Sequence, residues 1–458
     1  MLSAAKHLAA ALLGLMAGCD RQSGGDAPAF VVVTGDTAGW IVPCGCATNQ
    51  SGGLPRRGTL IRELRQRGDV LLLDAGGVAA GANEYQRAKL EAILAGTLRM
   101  GLAAQNIGTA EAAFGADYLR DVARRLSVPL VSANARDADG GLIAPPIRFL
   151  KLAGRRIAVT GVLAQRVDGR SNTIAGLRID APRESVLRAL AKNKQPYDAL
   201  IVLAYLPEAE LRELAAGLPE ADAVIGGPTG QSLLPRQLGP TLLASATNKG
   251  KFVVQLAAHL EDSRARWSGQ VVELSERFAD DAAQQENVRT YLAELKRRDF
   301  AADQTGLTAP LPASLPADFA IAGTAACREC HAAEYAVWEH VDHAHAWRSL
   351  LERGYEADPD CQQCHTTGYG LPGGFVSAAR SADRTSAGCE NCHGPSLAHV
   401  RDPHVRTPFQ PRDQCVRCHD LENSPQFDFA VYWPRIQHGP KATSATAPAA
   451  TTQSPGVP

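Results

Sequence analysis

One pattern, Cys-x-x-Cys-His, occurs four times in the last third of this 458-residue chain. The two thiols of such a pattern stand three residues apart and can both bond to the vinyl groups of one haem, while the adjacent histidine reaches the iron as its proximal ligand. We therefore predict four covalently bound haem c groups. The attachment cysteines are Cys327, Cys330, Cys361, Cys364, Cys389, Cys392, Cys415 and Cys418, and the proximal histidines are His331, His365, His393 and His419.

Two other uses of paired cysteines explain the pattern less well. Zinc ribbons also contain Cys-x-x-Cys pairs, but they do not require a histidine directly after each pair. A disulfide framework would leave the four adjacent histidines without a role. The sequence therefore indicates a multihaem c-type cytochrome, which transfers electrons whatever else the chain does.

The haem region lacks two of the residue types that could provide the sixth ligand of an iron. Between residues 327 and 440 the sequence contains neither methionine nor lysine, so the sixth ligand is a histidine or is absent. Without a thioether ligand, the haem potentials should be low compared with those of Met/His cytochromes. The histidines available outside the motifs are His340, His343, His345, His399, His404 and His438.

The chain begins with a short apolar stretch, residues 8–17, that follows one lysine and is too short to span a bilayer. Gly18 and Cys19 come next, which is typical of the end of a signal peptide. Residues 15–19 resemble a bacterial lipobox, and this resemblance implies cleavage after residue 18, lipidation of Cys19 and, from Asp20, retention at the inner membrane. The alternative is cleavage nearby with Cys19 discarded. We expect a lipid-anchored periplasmic protein.

Composition divides the chain into unlike regions. Its length exceeds what one hydrophobic core accommodates, and eight of the eleven cysteines lie at or after residue 327. A net charge of -1 gives no general attraction to nucleic acid, so no nucleic-acid partner is expected. The predicted organisation is a signal peptide (1–18), a tether (19–27), an α/β domain (28–275), a helix and proline-rich linker (276–326), a haem domain (327–440) and a disordered tail (441–458).

The long N-terminal region alternates apolar stretches with helical ones, which predicts an α/β fold with helices outside the sheets. The predicted strands are 30–34, 70–74, 130–133, 157–162, 199–204, 223–225, 242–245 and 252–256. Five signatures follow them in a fixed order: Gly35-Asp36-Thr37, Asp74-Ala75-Gly76-Gly77, Ile107-Gly108-Thr109-Ala110-Glu111, Ser132-Ala133-Asn134 and Ile225-Gly226-Gly227-Pro228-Thr229-Gly230. In this order they resemble calcineurin-like metallophosphatases of the 5'-nucleotidase branch, which implies a layered α/β sandwich.

Most metal ligands of that family are missing from the matching positions. The D-x-H motif reads Asp36-Thr37-Ala38, and Gly77 stands where the metal-bridging aspartate would be. The G-N-H-E motif reads Gly108-Thr109-Ala110-Glu111, Tyr205 replaces a lone histidine, and the G-H-x-H pair has become Gly227-Pro228-Thr229-Gly230. A two-metal site needs several converging ligands, which Asp36 alone cannot provide. We expect no divalent metal and no hydrolysis in this domain.

Four stretches around the haem motifs share the spacing of a known family. They are residues 331–350, 364–369, 388–399 and 415–438. They resemble tetrahaem cytochromes of the type that accepts electrons in ammonia oxidisers, which implies a mostly helical domain organised by haem. By this resemblance the second haem keeps an open or weakly held sixth position, unless His340, His345 or His404 fills it. The distal ligands that the resemblance implies for the other three haems are His343, His399 and His438.

One early loop places two thiols, Cys44 and Cys46, near the cations Arg56 and Arg57. One interpretation is a strained disulfide or an inert pair of thiols. The other is a contact for a soft metal or a sulfur anion, with the arginines lowering the pKa of the thiols. The sequence leaves both open.

Three functions are compatible with these features. The leading hypothesis is a lipid-anchored electron carrier whose phosphatase-like domain has lost its catalyst and is a docking or binding platform. The second is a haem oxidoreductase acting on a small nitrogen or sulfur oxyanion at an open haem. The third is a working nucleotidase with an appended cytochrome, which the missing ligands disfavour. No catalytic residue can be named, and the expected partners are redox proteins or quinone-linked electron donors and, through the anchor, the membrane.

Overall fold

The computed structural model describes residues 28–43, 50–165, 172–259, 266–308, 318–407 and 410–439. The predictions for the signal peptide, for Cys19, for Cys44 and Cys46 and for the tail after residue 440 lie outside these ranges. None of the helices within them combines the length and the apolar composition that crossing a bilayer requires.

The N-terminal region contains all the named strands of the described ranges. In chain order they are β1 (Ala29–Thr34), β2 (Asp69–Asp74), β3 (Leu102–Gln105), β4 (Ala135–Arg136), β5 (Ile147–Leu152), β6 (Arg155–Leu163), β7 (Thr173–Ile174), β8 (Leu177–Ile179), β9 (Ala199–Tyr205), β10 (Ala223–Gly227), β11 (Leu233–Leu238), β12 (Thr241–Ser245), β13 (Phe252–His259) and β14 (Arg266–Glu273).

Two mixed sheets form the centre of this region. One has the strand order β14-β13-β1-β2-β3 and the other the order β11-β12-β10-β9-β6-β5, while β4, β8 and β7 form a small third sheet. The strands β1, β2 and β3 run parallel, as do β6, β9, β10 and β12. Parallel strands that are buried on both faces have continuous apolar sequences, and this pattern allowed them to be predicted.

The two large sheets pack face to face, with helices on their outer faces. Val31 and Leu73 of the first sheet share one apolar core with Ile201 and Ile225 of the second. The helices of this region are α1 (Leu54–Arg65), α2 (Glu84–Arg99), α3 (Thr109–Ala112), α4 (Ala116–Leu126), α5 (Pro182–Lys192), α6 (Glu208–Gly217) and α7 (Ala282–Arg298). The layers confirm the predicted α/β sandwich.

One predicted strand is wrong. Residues 130–133 form only an isolated bridge, between Leu130 and Gln105. The next amides donate to three separate parts of the chain: Val131 to Gln105 of β3, Ser132 to Pro145 in the loop before β5, and Ala133 to Gly161 of β6. The apolar run is buried, but its backbone passes between elements instead of pairing with one strand.

Helix α7 packs on the N-terminal sandwich. The side chain of Asp281 caps it by accepting from the amides of Ala283 and Gln284. Two side-chain amides of α7 donate to backbone carbonyls of α2: that of Gln284 to Gly96 O at 3.0 Å, and that of Asn287 to Ala92 O at 2.9 Å. These hydrogen bonds fix α7 against α2.

The C-terminal region is built from short helices and loops. Its helices are α8 (Thr324–Cys327), α9 (Ala332–Trp338), α10 (Ala346–Arg353), α11 (Pro359–His365), α12 (Cys389–His393), α13 (Leu397–Arg401), α14 (Pro411–Cys415) and α15 (Phe429–Tyr432), with 3₁₀ turns at Ala302–Gln304, Asp342–His345, Ala382–Arg384 and Trp433–Arg435. Its described apolar cluster centres on Tyr369 and Phe375, which pack against Ala302. Such a small core points to another source of cohesion.

Candidate haem-binding site

A cavity of about 2400 Å³ opens among the short helices of the C-terminal region. Pockets for one small molecule usually have about 300–1,000 Å³, so this space suits several large groups. All eight cysteines and all four proximal histidines predicted from the sequence line it: Cys327, Cys330, Cys361, Cys364, Cys389, Cys392, Cys415, Cys418, His331, His365, His393 and His419. None of these cysteines is in a disulfide.

Each motif is wound into one helical turn. The amide of His331 donates to Cys327 O at 2.9 Å, and that of His419 donates to Cys415 O at 2.9 Å. Residues four apart lie on one face of a helix, so each turn directs the first thiol and the histidine to the same side. The local backbone therefore presents thiol and imidazole groups together to the cavity.

Three pairs of histidine rings face each other inside the region. The ring centroids are 6.1 Å apart for His331 and His399, 6.1 Å for His343 and His419, and 6.0 Å for His393 and His438. Metal–imidazole bonds are about 2.0–2.1 Å long, and two such bonds plus the radii of both rings account for this separation. Each pair leaves room for one metal ion between its rings.

Backbone carbonyls hold several of these rings through their Nδ1 atoms. Nδ1 of His399 lies 2.8 Å from Val405 O, and Nδ1 of His438 lies 2.9 Å from Ile436 O. A ring that donates from Nδ1 keeps its Nε2 atom for a metal, and such partners also fix the orientation of the ring. The residues present thus fit axial ligation of haem iron.

His365 differs from the other motif histidines. Its Nδ1 atom lies 2.6 Å from Ala346 O and 3.4 Å from Ser349 Oγ, and burial lowers the pKa of its imidazole. Among the residues that the structure describes, no histidine ring is paired with it in the way that the other three are. His340 and His345 line the same cavity, whereas His404 is not among its lining residues.

The motifs lie close to one another in pairs. The thiol of Cys327 is hydrogen-bonded to that of Cys389, which raises the pKa of the Cys327 thiol. The thiol of Cys418 is hydrogen-bonded to that of Cys364, which lowers the pKa of the Cys418 thiol. The first motif is therefore adjacent to the third, and the second to the fourth.

The N-terminal domain forms one wall of the cavity. Trp40, in the loop after β1, lines it together with Lys89 of α2. Lys249 also lines it, lies over the Trp40 ring at 4.9 Å and pairs with Glu422 at 2.9 Å. The loop that follows the D-x-H position of the phosphatases is thus in contact with the haem region.

At Gly77, where the resemblance places a metal-bridging aspartate, the space is filled by another side chain. A Cβ atom built on Gly77 would overlap Cε2 of Tyr205 and lie 2.9 Å from its Cζ, so the tyrosine ring takes the space of a larger side chain at position 77. Asp36 is bound by the Thr247 hydroxyl at 2.5 Å and by the Asn248 amide at 3.2 Å. Its carboxylate is satisfied by hydrogen bonds within the protein.

Two further charged residues are buried near this position. Burial raises the pKa of Glu111 to about 7, and its Oε1 atom accepts from the Ala79 amide at 2.8 Å. Arg57 is 1% exposed and donates to Thr37 Oγ1 at 3.1 Å. Burial lowers the pKa of its guanidinium group, and the negative charge of Asp74 opposes that shift. Within the described ranges, no group of three or more His, Cys, Asp or Glu side chains is arranged to hold a metal ion.

Sequence reasoning missed one group of residues in contact with the cavity. Tyr85 and Lys89 of α2 meet Asp358 and Asp360 at the start of α11. Asp358-Pro359 before Cys361 is a recognisable helix start, because Asp is a good N-cap and Pro a good first residue. Nothing in the sequence of α2 marks Lys89 as its partner.

Replacing Gly77 by alanine should destabilise the N-terminal domain more than the same change at Gly154. Both glycines have left-handed backbones, with φ near +78° and +76°, which costs an alanine about 1–2 kcal/mol. Only at Gly77 does the new methyl group meet a ring, adding about 1–3 kcal/mol. Urea unfolding of the two variants measures the difference, and equal losses would contradict the contact with Tyr205.

The structure brings four Cys-x-x-Cys-His motifs to one cavity, next to a layered α/β domain. The family described as cytochrome c554 and c-prime matches residues 326–394. Cytochrome c-554 of Nitrosomonas europaea is 34% identical over 97 residues, covering 18% of this chain and 41% of that protein. Residues 326–394 thus match the cytochrome c554 family, a resemblance that the sequence predicted, and this family implies covalent haem c and redox partners.

Solved structures match the N-terminal fold. The 5'-nucleotidase precursor from Thermus thermophilus superposes with a TM-score of 0.50 at 23% identity, covering 60% of each chain. Sulfate thiohydrolase SoxB from the same organism superposes with a TM-score of 0.51 at 16% identity, covering 61% of this chain and 63% of its own. At these identities the likeness establishes the fold alone, and it confirms the predicted metallophosphatase-like architecture. The chain spans less than two thirds of each of these relatives.

Proposed function

We propose that this chain is a tetrahaem electron carrier, held at the periplasmic face of the inner membrane by a lipid on Cys19. The observation that carries this proposal is the set of three histidine pairs, 6.0–6.1 Å apart, around a cavity lined by all four motifs. Bound haem would supply one-electron chemistry at each motif. The proposed axial pairs are His331 with His399, His393 with His438, and His419 with His343.

The thiol contacts support a route for electrons within the region. Because Cys327 touches Cys389 and Cys364 touches Cys418, groups attached there would lie close together in two pairs. Axial histidine on both faces, without methionine, favours low potentials. Such a carrier would accept electrons from a redox protein or a quinone-linked donor and pass them to another redox protein.

The phosphatase-like domain, in this proposal, is catalytically inactive and is a platform for the haem region. Tyr205 fills the space next to Gly77, and hydrogen bonds within the protein satisfy Asp36. Metal-bound water is the nucleophile that such a fold would need, and its ligands are absent from the matching positions. Contacts such as Lys249 with Glu422 attach this domain to the haem region directly.

A second candidate function is a haem oxidoreductase for a small nitrogen or sulfur oxyanion. The observation in its favour is His365, which has no histidine ring opposite it among the described residues. An iron with one open position can bind a small molecule, whereas an iron with two axial histidines cannot. His340 and His345, which line the cavity, are the competitors for that position.

The purified protein should carry four haems per chain and titrate at potentials below those of Met/His cytochromes. Mass spectrometry of the intact chain gives the number of haems, and spectroelectrochemistry gives the potentials. Fewer than four covalent haems would contradict the tetrahaem assignment. Nucleotide hydrolysis stimulated by Mn²⁺, Zn²⁺ or Mg²⁺ and lost in Asp36→Ala would instead favour a working nucleotidase.

A further inference from the structure

Four polar side chains meet where the N-terminal domain touches the second haem motif. The hydroxyl of Tyr85 donates to Asp358 Oδ1 at 2.7 Å, and the ammonium group of Lys89 pairs with Asp360. Asp358 Oδ1 also accepts from the Asp360 amide at 3.1 Å. Lys89 is 4% exposed and Asp358 5%, so most of this interface cluster (Tyr85, Lys89, Asp358 and Asp360) is shielded from water.

The charges in the interface cluster do not cancel. Two carboxylates face one ammonium group, so one negative charge is left over when both carboxylates are ionised. Burial first, and then the charge of Asp360, raise the pKa of Asp358 to about 6, while Lys89 and the hydrogen bond from Tyr85 oppose the rise. The other titratable groups with electrostatic influence on the cluster are Tyr291 of α7, Tyr355, Tyr369 and the thiol of Cys361. Haem attachment would convert that thiol into an uncharged thioether.

The interface cluster lies beside the place where the second haem attaches. Asp360 directly precedes Cys361, and Lys89, Asp358 and Asp360 line the cavity that also contains His365. Charges interact strongly where water is excluded, because the effective dielectric constant there is far below that of water. An added electron at this motif would therefore increase the affinity of the nearby carboxylates for a proton.

We propose that the interface cluster takes up one proton at Asp358 when the second haem gains one electron. This inference rests on the haem proposed at Cys361 and Cys364. The electron comes from a one-electron donor, and the proton comes from solvent through Asp360, whose side chain is 34% exposed. The charge near the motif is then unchanged by reduction. Oxidation reverses both transfers, so the second haem would move a proton with each electron.

A purely structural role is the alternative. A buried ion pair can fix the position of one domain on another without taking part in redox chemistry. In that case the potential of the second haem would not depend on pH around the pKa of Asp358. The two roles therefore differ in a measurement that does not depend on catalytic activity.

The test is a potentiometric titration of the complete haem-loaded protein from about pH 5 to about pH 9. Below the pKa of Asp358 in the oxidised protein, both redox states hold the proton and the potential is constant. Above it, only the reduced state holds the proton, so the potential should fall by up to about 59 mV per pH unit, the equivalent of a tenfold change per unit. At still higher pH the potential becomes constant again.

Asp358→Asn is the matched variant. Asparagine keeps the helix cap and can accept from Tyr85, but it cannot take up the proton, so the slope should disappear. Asp383→Asn changes an exposed carboxylate of the same region, 74% exposed, and should keep the slope. Lys89→Met should move the sloping range to higher pH by removing the opposing charge, whereas Lys89→Arg should leave it in place.

The outcomes separate this inference from the function on which it rests. A wild-type potential that is constant over the whole pH range would overturn the proton transfer, and so would a slope that persists in Asp358→Asn. Mass spectra of peptides containing residues 361–364 report haem attachment independently. Unmodified peptides there would instead refute the proposed second haem, and the proton transfer with it.

Discussion

Chain produced without haem attachment should keep a folded N-terminal domain and lose the fold of residues 327–440 completely. The longest helix of that region, α10, has eight residues, and isolated helices shorter than about 12–15 residues are marginal in water. Its apolar cluster is built around Tyr369 and Phe375, and the cavity of about 2400 Å³ separates the remaining helices. Attached haem would replace the missing core, as metals and disulfides do in small domains.

Limited proteolysis followed by mass spectrometry measures this difference. Haem-free chain should yield a resistant fragment that ends near residue 308, whereas the haem-loaded chain digested in parallel should protect both regions. A variant with Cys361→Ser and Cys364→Ser keeps three motifs and should expose mainly the segment around the second one. A resistant haem-free fragment that spans residues 327–440 would contradict the expectation.

Carbon monoxide should bind to one of the four haems of the reduced protein, the one attached at Cys361 and Cys364. His365 is the motif histidine without a second ring opposite it among the described residues, and no methionine or lysine in this region can take that place. The haems between paired histidines should stay low-spin and unreactive. Absorbance titration with carbon monoxide gives the fraction of haem that responds.

Two histidine variants sharpen this experiment. His399→Ala removes the ring that faces His331, so carbon monoxide should then bind two haems per chain. His404→Ala removes a histidine that does not line the cavity and should change nothing. A wild-type spectrum that is entirely low-spin and unaffected by carbon monoxide would exclude an open position on any haem iron. It would also remove the main support for the oxidoreductase hypothesis.

The haem-binding residues were the easiest part to predict, because their chemistry requires a fixed local spacing. The four candidate motifs follow from that spacing, whereas His343, His399 and His438 were named only by the resemblance to tetrahaem cytochromes. The pairing of the histidine rings could not be predicted, because these contacts join residues up to 76 positions apart, as for His343 and His419. Such pairing depends on how short helices and loops pack in three dimensions.

The α/β fold was predictable from its buried apolar strands, but some local features were not. Residues 130–133 are as apolar as a strand, yet their amides donate to two different strands and a loop. The difference from the phosphatase motifs at the matching positions was visible in the sequence, whereas the ring of Tyr205 against Gly77 was not. The contact of Lys89 with Asp360 joins residues 271 apart, and no local pattern predicts it.

The packing of Tyr205 on Gly77 also affects which single substitutions could place a metal ligand in this domain. An aspartate restored at position 77 alone would collide with the tyrosine ring. A histidine restored at position 205 alone would leave a gap beside a glycine that carries no ligand, and cavities of this kind cost stability. Each single substitution toward a metal site would therefore give a less stable protein without gaining activity. A metal site of the phosphatase kind is, in this physical sense, difficult to build here by single mutations.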